Sequence, residues 1–197
     1  DPNFSPALAH MGITFSKDNK PDDAIKWLRR ALAVDPRSID ALNAMGNALR
    51  VLGQDQEAIA CFRRALDVDP NFPEAISNLG VSFNDLGDLE QALAAARRAV
   101  QISPKNPIYQ WTCALVLLRA GQFKEGWNEY EWRWGRHDFT TPNRDFGKPR
   151  WDGGPLAGKT ILIHAEQGTG DTLQFVRYAP LVAQAGASVV VECQPEV

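Results

Sequence analysis

The sequence predicts an all-α solenoid of helical hairpins followed by a short α/β segment, and three observations support this prediction. A proline step recurs every 34 residues: Asp1-Pro2, Asp35-Pro36, Asp69-Pro70 and Ser103-Pro104. Small and apolar residues repeat in register with that step over the first two-thirds of the chain. From Lys159 onward the pattern changes to strand, loop, helix and strand. A period of this length is typical of stacked helical hairpins, each too small to bury its own apolar face.

The composition is that of a water-soluble globular chain. The 197 residues are 44% hydrophobic and 23% charged, and the net charge of −3 predicts no general attraction to nucleic acid or to an anionic membrane. No apolar run approaches the roughly 20 residues that a membrane span needs. Cys61, Cys113 and Cys193 are odd in number and lie in apolar contexts, which favours reduced thiols and a cytoplasmic location. We expect neither a cofactor nor a metal site.

Three regular repeats and a modified fourth make up the helical part. The regular repeats are Ser5–Arg37, Ile39–Phe72 and Pro73–Lys105, and the fourth begins at Pro107. The first helix of each regular repeat carries apolar residues at helical spacing: Leu8, Met11 and Phe15, then Leu42, Met45 and Leu49, then Ile76, Leu79 and Phe83. A small residue follows the middle one: Gly12, Gly46, Gly80 and, in the fourth repeat, Ala114. Glycine inside a helix costs about 1 kcal/mol relative to alanine, so its recurrence in register predicts close contact between helices.

Further small residues recur in the second helices of the repeats. They form two sets: Ala24, Ala58 and Ala92, then Ala31, Ala65 and Ala99. Gly53, Gly87 and Gly121 mark the turns between the two helices of a hairpin. The proline that follows Asp or Ser then ends the second helix.

This pattern resembles the tetratricopeptide repeat over residues 1–134. The resemblance implies a right-handed superhelix whose concave face is lined by the first helices, where peptides or proteins bind in this family. The polar positions turned toward that face are Asn43, Asn47, Arg50, Ser77, Asn78, Asn84 and Asp85. Their amide and guanidinium groups could hydrogen-bond an extended peptide backbone, or they could form a solvated polar face without a ligand.

Pairs of arginines recur with the same period. They are Arg29-Arg30, Arg63-Arg64 and Arg97-Arg98. Two interpretations stay open, a basic stripe for an acidic partner and outward-facing residues that the helix dipole favours near helix C-termini.

The second helix of the fourth repeat changes character. Phe123, Trp127, Tyr130 and Trp134 are spaced four, three and four residues apart and share one helical face. A face this large must be covered. It could be a platform on which a sugar or base stacks, or a buried seam between the solenoid and the segment that follows.

Residues 135–158 form a linker rich in glycine and proline, and residues 159–197 form the α/β segment. Apolar runs at Thr160–Ala165 and Ser188–Cys193 predict two strands. Thr172–Ala185 between them predicts a helix that Pro180 kinks. A strand, helix and strand of this length predict a parallel βαβ unit, in which ligands lie where the first strand ends and the helix begins.

The loop at that point does not complete a standard phosphate motif. No lysine follows the second glycine, as a Walker A loop would require, and the stretch that follows, with Phe175 and Val176, does not complete G-x-G-x-x-G. Asp171 could be a helix N-cap or first-turn acid, or equally an exposed general base.

The longer phrase WDGGPLAGKTILIHAEQGTGDTLQFVRYAP resembles the junction in bacterial proteins that join tetratricopeptide repeats to a heptosyltransferase-like domain of the GT-B arrangement. That resemblance implies sugar transfer from a nucleotide donor, with Asp171 as catalytic base. The loop of Gly168, Thr169 and Gly170 would approach the acceptor. His164, Glu166 and Gln167 lie close enough in sequence to line the same mouth.

A transferase of this kind needs several hundred residues, whereas only one βαβ unit is present here. We therefore expect the chain to be a non-catalytic part of a larger protein and to act as a peptide-binding module. The alternative is a glycosyltransferase in which the repeats select the acceptor. Residues 159–197 should dock on the aromatic face, associate with a second copy, or be poorly ordered, because a single βαβ unit leaves strand edges without partners.

Overall fold

Helical hairpins form the larger part of the chain, and this confirms the predicted fold class. The computed structural model describes residues 4–139, 141, 144–166 and 168–195. The hairpin helices are α1 (Ser5–Lys17), α2 (Pro21–Val34), α3 (Ile39–Val51), α4 (Asp55–Val68), α5 (Pro73–Asp85), α6 (Leu89–Ile102), α7 (Pro107–Arg119) and α8 (Phe123–Tyr130). Two compact units divide between His137 and Asp138. No helix in the described part of the chain is long and apolar enough to cross a membrane.

Local sequence signals account for the helix ends. Pro21, Pro73 and Pro107 each occupy the first helical position, where the missing N–H has no intrahelical partner to lose. The hairpin turns contain Gly53, Gly87 and Gly121, with φ of 73°, 82° and 75°. The first hairpin has Asn19 at φ 57° in that role, an asparagine being among the few non-glycine residues that tolerate it.

The core of the solenoid lies between the two helices of each hairpin and between neighbouring hairpins. Ala24, Ala58 and Ala92 are fully buried, and so are Leu28 and Phe62. A Cβ atom placed on Gly12 would lie 2.8 Å from Leu28 Cδ2, and one on Gly46 would lie 2.7 Å from Phe62 Cζ. The predicted close approach at the recurring glycines is therefore confirmed.

The fourth hairpin departs from the others. Helix α8 ends at Tyr130, and a 3₁₀ segment over Glu131–Gly135 follows it, so the helix predicted through Trp134 is shorter than expected. Arg133 occupies the position that holds Ala31, Ala65 or Ala99 in the earlier repeats. Arginine is far larger than the alanine it replaces, and the backbone tightens where its side chain is accommodated.

A parallel two-stranded sheet organises the smaller unit. Its elements are β1 (Thr160–His164), α9 (Thr169–Phe175), α10 (Ala179–Gln184) and β2 (Ser188–Glu192), and Thr160 pairs with Ser188 and His164 with Glu192. The single kinked helix predicted over 172–185 is instead two short helices joined by a 3₁₀ turn over Val176–Tyr178. The break precedes Pro180, because a proline in a helix displaces the turn before its own ring.

Part of the glycine- and proline-rich segment packs against the turn before β2. Leu156 is 3% exposed, and the Gly158 N–H donates a hydrogen bond of 3.1 Å to the Gly186 carbonyl. Gly186 has φ 95°, and a Cβ there would lie 3.2 Å from Ala157 Cα. The chain before β1 and the turn before β2 are thus held together by close backbone contact.

Candidate functional site

A groove opens between α1 and α3, at the N-terminal end of the row of first helices. Its volume is about 370 Å³. Its lining residues are Ile13, Ser16, Lys17, Pro21, Asp40, Asn43, Ala44, Asn47, Ala48 and Val51. Two of the seven residues predicted to bind peptide, Asn43 and Asn47, therefore lie together in one concavity. The remaining lining combines small apolar side chains with one cation and one carboxylate.

Half of the groove residues that sequence reasoning missed belong to the neighbouring repeat. Ile13 stands one period before Asn47, and Lys17 stands one period before Val51. The 34-residue spacing that places Asn47 on the concave face therefore places Ile13 there too. Because Ile13 has no hydrogen-bonding side chain, a search for polar residues on this face does not find it.

A hydrogen bond connects the second and third repeats on the same face. Asn78 Nδ2 donates to Asn43 Oδ1 over 2.9 Å, and both side chains are half-buried. This bond uses one donor of Asn78 and one lone pair of Asn43. Each amide keeps further hydrogen-bonding capacity and is held in a fixed orientation.

Three other predicted binding residues lie farther along α3 and α5. Arg50 Nη1 and Asp85 Oδ2 are 3.7 Å apart, in an ion pair that spans the second and third repeats. Arg119 donates a hydrogen bond to the Asn84 backbone carbonyl. These contacts orient charged and polar groups along the concave row and tie the second, third and fourth repeats to one another.

Ser77 differs from the other predicted binding residues because it is buried. Its exposed fraction is 5%, and Ala9, at the same position of the first repeat, is 3% exposed. Asn43, at the same position of the second repeat, is half-buried and lines the groove. Trp111, one period after Ser77, is half-buried beneath the Arg136 guanidinium, which lies 3.7 Å from the Trp111 ring centroid.

The recurring arginines contact the solenoid itself. Arg64 Nη2 donates to the Pro36 carbonyl over 3.3 Å, and Arg98 Nη2 donates to the Pro70 carbonyl over 2.5 Å. In the fourth repeat Gln110 Nε2 donates to the Pro104 carbonyl over 2.8 Å. Each described loop between repeats thus has its proline carbonyl bound by a side chain from a neighbouring helix.

The aromatic face of α8 divides into a covered half and an exposed half. Tyr130 and Trp134 are half-buried, and the buried Arg133 guanidinium lies 5.0 Å and 4.6 Å from their ring centroids. Phe123 and Trp127 are 61% and 56% exposed. The solenoid therefore covers one end of this face and leaves the other accessible.

The carboxyl ends of β1 and β2 carry polar groups in the smaller unit. Gly168, at φ 48°, is the N-cap of α9, so Asp171 is a first-turn acid of that helix and its side chain is exposed. Thr169 and Gly170 belong to the same first turn, where sequence had predicted a loop. The Thr172 hydroxyl donates to Gln194 Oε1 over 2.8 Å, which ties α9 to the chain after β2.

An ion pair and a ring contact lie at the same end of the sheet. Arg144 Nη2 and Glu192 Oε2 are 3.1 Å apart, and hydrogen bonding to this guanidinium lowers the pKa of Glu192. The rings of Phe146 and His164 have centroids 5.0 Å apart. Gln167, predicted at the same mouth, lies outside the described residues.

All three cysteines are free thiols. Burial raises the pKa of the Cys113 thiol to about 11 and also raises the pKa of Cys61, whereas Cys193 is exposed after β2. A thiol whose pKa is raised keeps its proton to higher pH, which makes both buried thiols poorer nucleophiles than a free cysteine.

Comparison with known proteins agrees with this geometry. The tetratricopeptide repeat family matches residues 11–67 and 43–107. FlbA of Caulobacter vibrioides is 36% identical over 76 residues, a stretch that spans 39% of this chain and 13% of that protein.

Solved structures show the same fold. The crystal structure of MamA is similar with a TM-score of 0.59 and 24% identity, over 67% of this chain and 77% of that one. PilF of Pseudomonas aeruginosa is similar with a TM-score of 0.60 and 23% identity, over 67% of this chain and 60% of that one. The 34-residue period, the paired helices and these matches together show tetratricopeptide repeats over residues 11–107 and the same solenoid fold in the helical part of this chain.

Proposed function

We propose that this chain binds an extended peptide segment of another protein along the row formed by α1, α3, α5 and α7. The observation that carries this proposal is the groove between α1 and α3, a concavity of about 370 Å³ with two predicted binding residues in its lining. Solenoids offer extended surfaces of this kind to partners. The repeats therefore act as an interaction module.

The chemistry of the groove indicates the class of side chain that enters it. Ile13, Ala44, Ala48 and Val51 supply apolar surface, and Asn47 stands among them with a side-chain amide. An apolar pocket with a few polar groups holds an apolar side chain while the amides bind backbone N–H and C=O groups. We therefore expect a preferred peptide with one aliphatic or aromatic residue flanked by extended backbone.

The orientation of the amides supports the same proposal. Because Asn43 and Asn78 are bonded to each other, a bound peptide need not restrict either side chain further. Side chains fixed before binding lower the entropic cost of association. The Asn43–Asn78 pair would continue the contact with the peptide from the groove toward α5.

The test is selection of binding peptides from a random library, followed by calorimetry with the purified protein. Asn47→Trp fills the groove and should weaken binding of the selected peptides at least about 10-fold, because removing an apolar anchor typically costs more than 1 kcal/mol. The matched control is Asn71→Trp, which places the same ring on an exposed loop. Equal affinity of the wild type and Asn47→Trp would show that the selected peptides do not bind in the groove. A library that yields no binding peptide would reject the proposed function.

We propose sugar transfer as a second candidate function, exerted within a longer protein that supplies the nucleotide-sugar site. It is favoured by the parallel β1–α9–β2 unit and by the exposed carboxylate of Asp171 in the first turn of α9. Asp171 would accept the proton of the acceptor hydroxyl, and the turn of Gly168, Thr169 and Gly170 would adjoin the acceptor. Asp171→Asn in the full-length gene product should abolish transfer from a nucleotide sugar, and Asp67→Asn should not. Transfer that survives Asp171→Asn would reject this role.

A further inference from the structure

A second concavity lies between the second and third repeats, where α4 meets the end of α5 and the start of α6. Its volume is about 390 Å³. Its lining residues are Gln56, Ile59, Arg63, Phe83, Leu86, Asp88 and Gln91. None of them lines the groove between α1 and α3. The pocket is large enough for a small ligand and combines apolar side chains with one cation, one carboxylate and two amides.

The cation of this pocket, Arg63, has unused hydrogen-bonding capacity. Its guanidinium carbon lies 5.9 Å from the centroid of the Phe83 ring. It has neither a hydrogen bond nor an ion pair with any residue that the structure describes. A guanidinium carries five N–H donors in a planar fork that matches a carboxylate. The ring contact therefore helps to hold the cation at the pocket wall and leaves its donors available.

The contact between the third and fourth repeats shows what such an arginine binds. Arg97 stands one period after Arg63. Its Nη2 donates hydrogen bonds of 3.2 Å to Gln122 Oε1 and 2.9 Å to Glu125 Oε2. Both acceptors belong to the second half of the following hairpin. At this interface the following repeat therefore supplies a carboxylate to the arginine.

The third repeat lacks that carboxylate. The four residues at this position of the period are Asp23, Glu57, Gln91 and Glu125, and Gln91 is the neutral one. A carboxylate does stand at the position of Gln122, as Asp88, but it is bound within α6. Asp88 Oδ1 accepts from the Gln91 backbone N–H over 3.2 Å, and Oδ2 accepts from the Gln91 side-chain amide over 2.6 Å. Arg63 therefore borders an open pocket where Arg97 contacts a glutamate.

We infer that this pocket binds a carboxylate carried on an apolar group, in the place that Glu125 takes at the next interface. The carboxylate accepts hydrogen bonds from Arg63, and such charge-assisted bonds are stronger than neutral ones. The apolar group packs on Leu86, which is 45% exposed. Asp88 opposes the ligand little, because it is the N-cap of α6 and the helix dipole offsets its charge.

The test is an NMR titration of the isotope-labelled full chain with phenylacetate at constant ionic strength, up to about 100 mM, which populates even weak complexes. The side-chain signals of Arg63 should shift and saturate. Phenylacetamide, which has the same ring and no charge, should bind at least about 10-fold more weakly, because the charge-assisted contact is lost. A short peptide that ends in phenylalanine, compared with its C-terminal amide, distinguishes a chain terminus from a free acid. Tighter binding of the peptide assigns the site to a chain terminus, tighter binding of phenylacetate assigns it to a small organic acid, and both results support a carboxylate site.

Two variants test the role of Arg63. Arg63→Gln removes the cation and should weaken phenylacetate binding at least about 10-fold. Gln91→Glu keeps the cation and supplies the carboxylate that the other repeats carry, so it should pair with Arg63 and weaken binding to a similar degree. The matched control is Arg29→Gln, at the same position of the first repeat, which should bind like the wild type. Circular dichroism should show that every variant is folded.

Several results would overturn the inference. If neither phenylacetate nor the peptide causes a saturable shift at Arg63, the pocket is not a carboxylate site. Equal binding of phenylacetate and phenylacetamide would show that the pocket recognises the ring and not the charge. A Gln91→Glu variant that binds phenylacetate like the wild type would show that the ligand does not take the place of Glu125. Loss of binding in Arg29→Gln would place the site at the first repeat.

Discussion

Close packing in the solenoid occurs where a glycine of a first helix faces the second helix of its own repeat. The side chain opposite that glycine varies from repeat to repeat: Leu28 for Gly12, Phe62 for Gly46 and Ala96 for Gly80. Where the opposing residue is large, a Cβ on the glycine would overlap it, and where it is alanine the nearest atoms are backbone atoms at 3.3 Å. The Phe62 ring therefore occupies the space that a side chain at position 46 would need.

We predict that Gly46→Ala destabilises the protein although alanine is the better helix former. Overpacking against the Phe62 ring should cost about 1–3 kcal/mol, of which roughly 1 kcal/mol is offset by helix propensity. The midpoint of urea unfolding should fall without a change in slope.

Phe62→Ala provides the control, because alanine lacks the ring atoms that the new methyl group would meet, as Ala96 does opposite Gly80. In that background Gly46→Ala should be close to neutral or stabilising. An equal cost of Gly46→Ala in both backgrounds would show that the methyl group meets something other than the ring.

At the scale of elements, the joints between repeats are held by side chains outside the apolar core. Arg64 and Arg98 each donate a hydrogen bond to the proline carbonyl of the preceding loop, 28 residues earlier in the chain. In the third loop the Pro104 carbonyl accepts instead from Gln110 of the next repeat. A carbonyl in such a loop has no helical partner, so a donor aimed at it satisfies a group that would otherwise depend on water. The arginine pairs recur with the period partly because this joint recurs.

We predict that Arg98→Met lowers the free energy of unfolding by about 0.5–1.5 kcal/mol, the usual net contribution of one hydrogen bond. Methionine keeps much of the aliphatic length of arginine and lacks its N–H groups, so the change isolates the bond to the Pro70 carbonyl. Chemical denaturation measures the difference. Gln101→Met, on an exposed position of the same helix, should have little effect, and an unchanged stability of Arg98→Met would show that the bond contributes nothing in water.

Periodicity predicts the elements well where packing repeats, and poorly where it stops. The first seven helices follow from the proline steps and the recurring glycines, since both have a local cause in backbone geometry. Helix α8 ends early because Arg133 stands at a position that holds alanine in the other repeats. The helical spacing of the aromatic residues in the same segment nevertheless predicts that the helix continues. The break between α9 and α10 falls four residues before Pro180, because a proline disturbs the turn that precedes it.

At the scale of the whole molecule, the candidate site is harder to predict than the fold because it is formed by more than one repeat. The period places Asn43 and Asn47 on the concave face, and both line the groove. The opposite wall of the groove contains Ile13 and Lys17 of the preceding repeat. Neither residue belongs to a recurring pattern of polar side chains, so the sequence alone does not identify them as groove residues. Ser77 has the sequence pattern of a surface position, but it is buried. Its exposure depends on the neighbouring helices and not only on the helix to which it belongs.

The hairpin array also determines how the helical part reaches its native state. Each of its helices packs mainly on the next helix or on the one after it, so most tertiary contacts join residues that are near in sequence. Low contact order of this kind favours fast folding, and an array of similar repeats can nucleate in any pair of neighbours and grow in both directions. The well-buried middle repeats are the expected starting point, and α8, in which only Gly126 is buried, should order later.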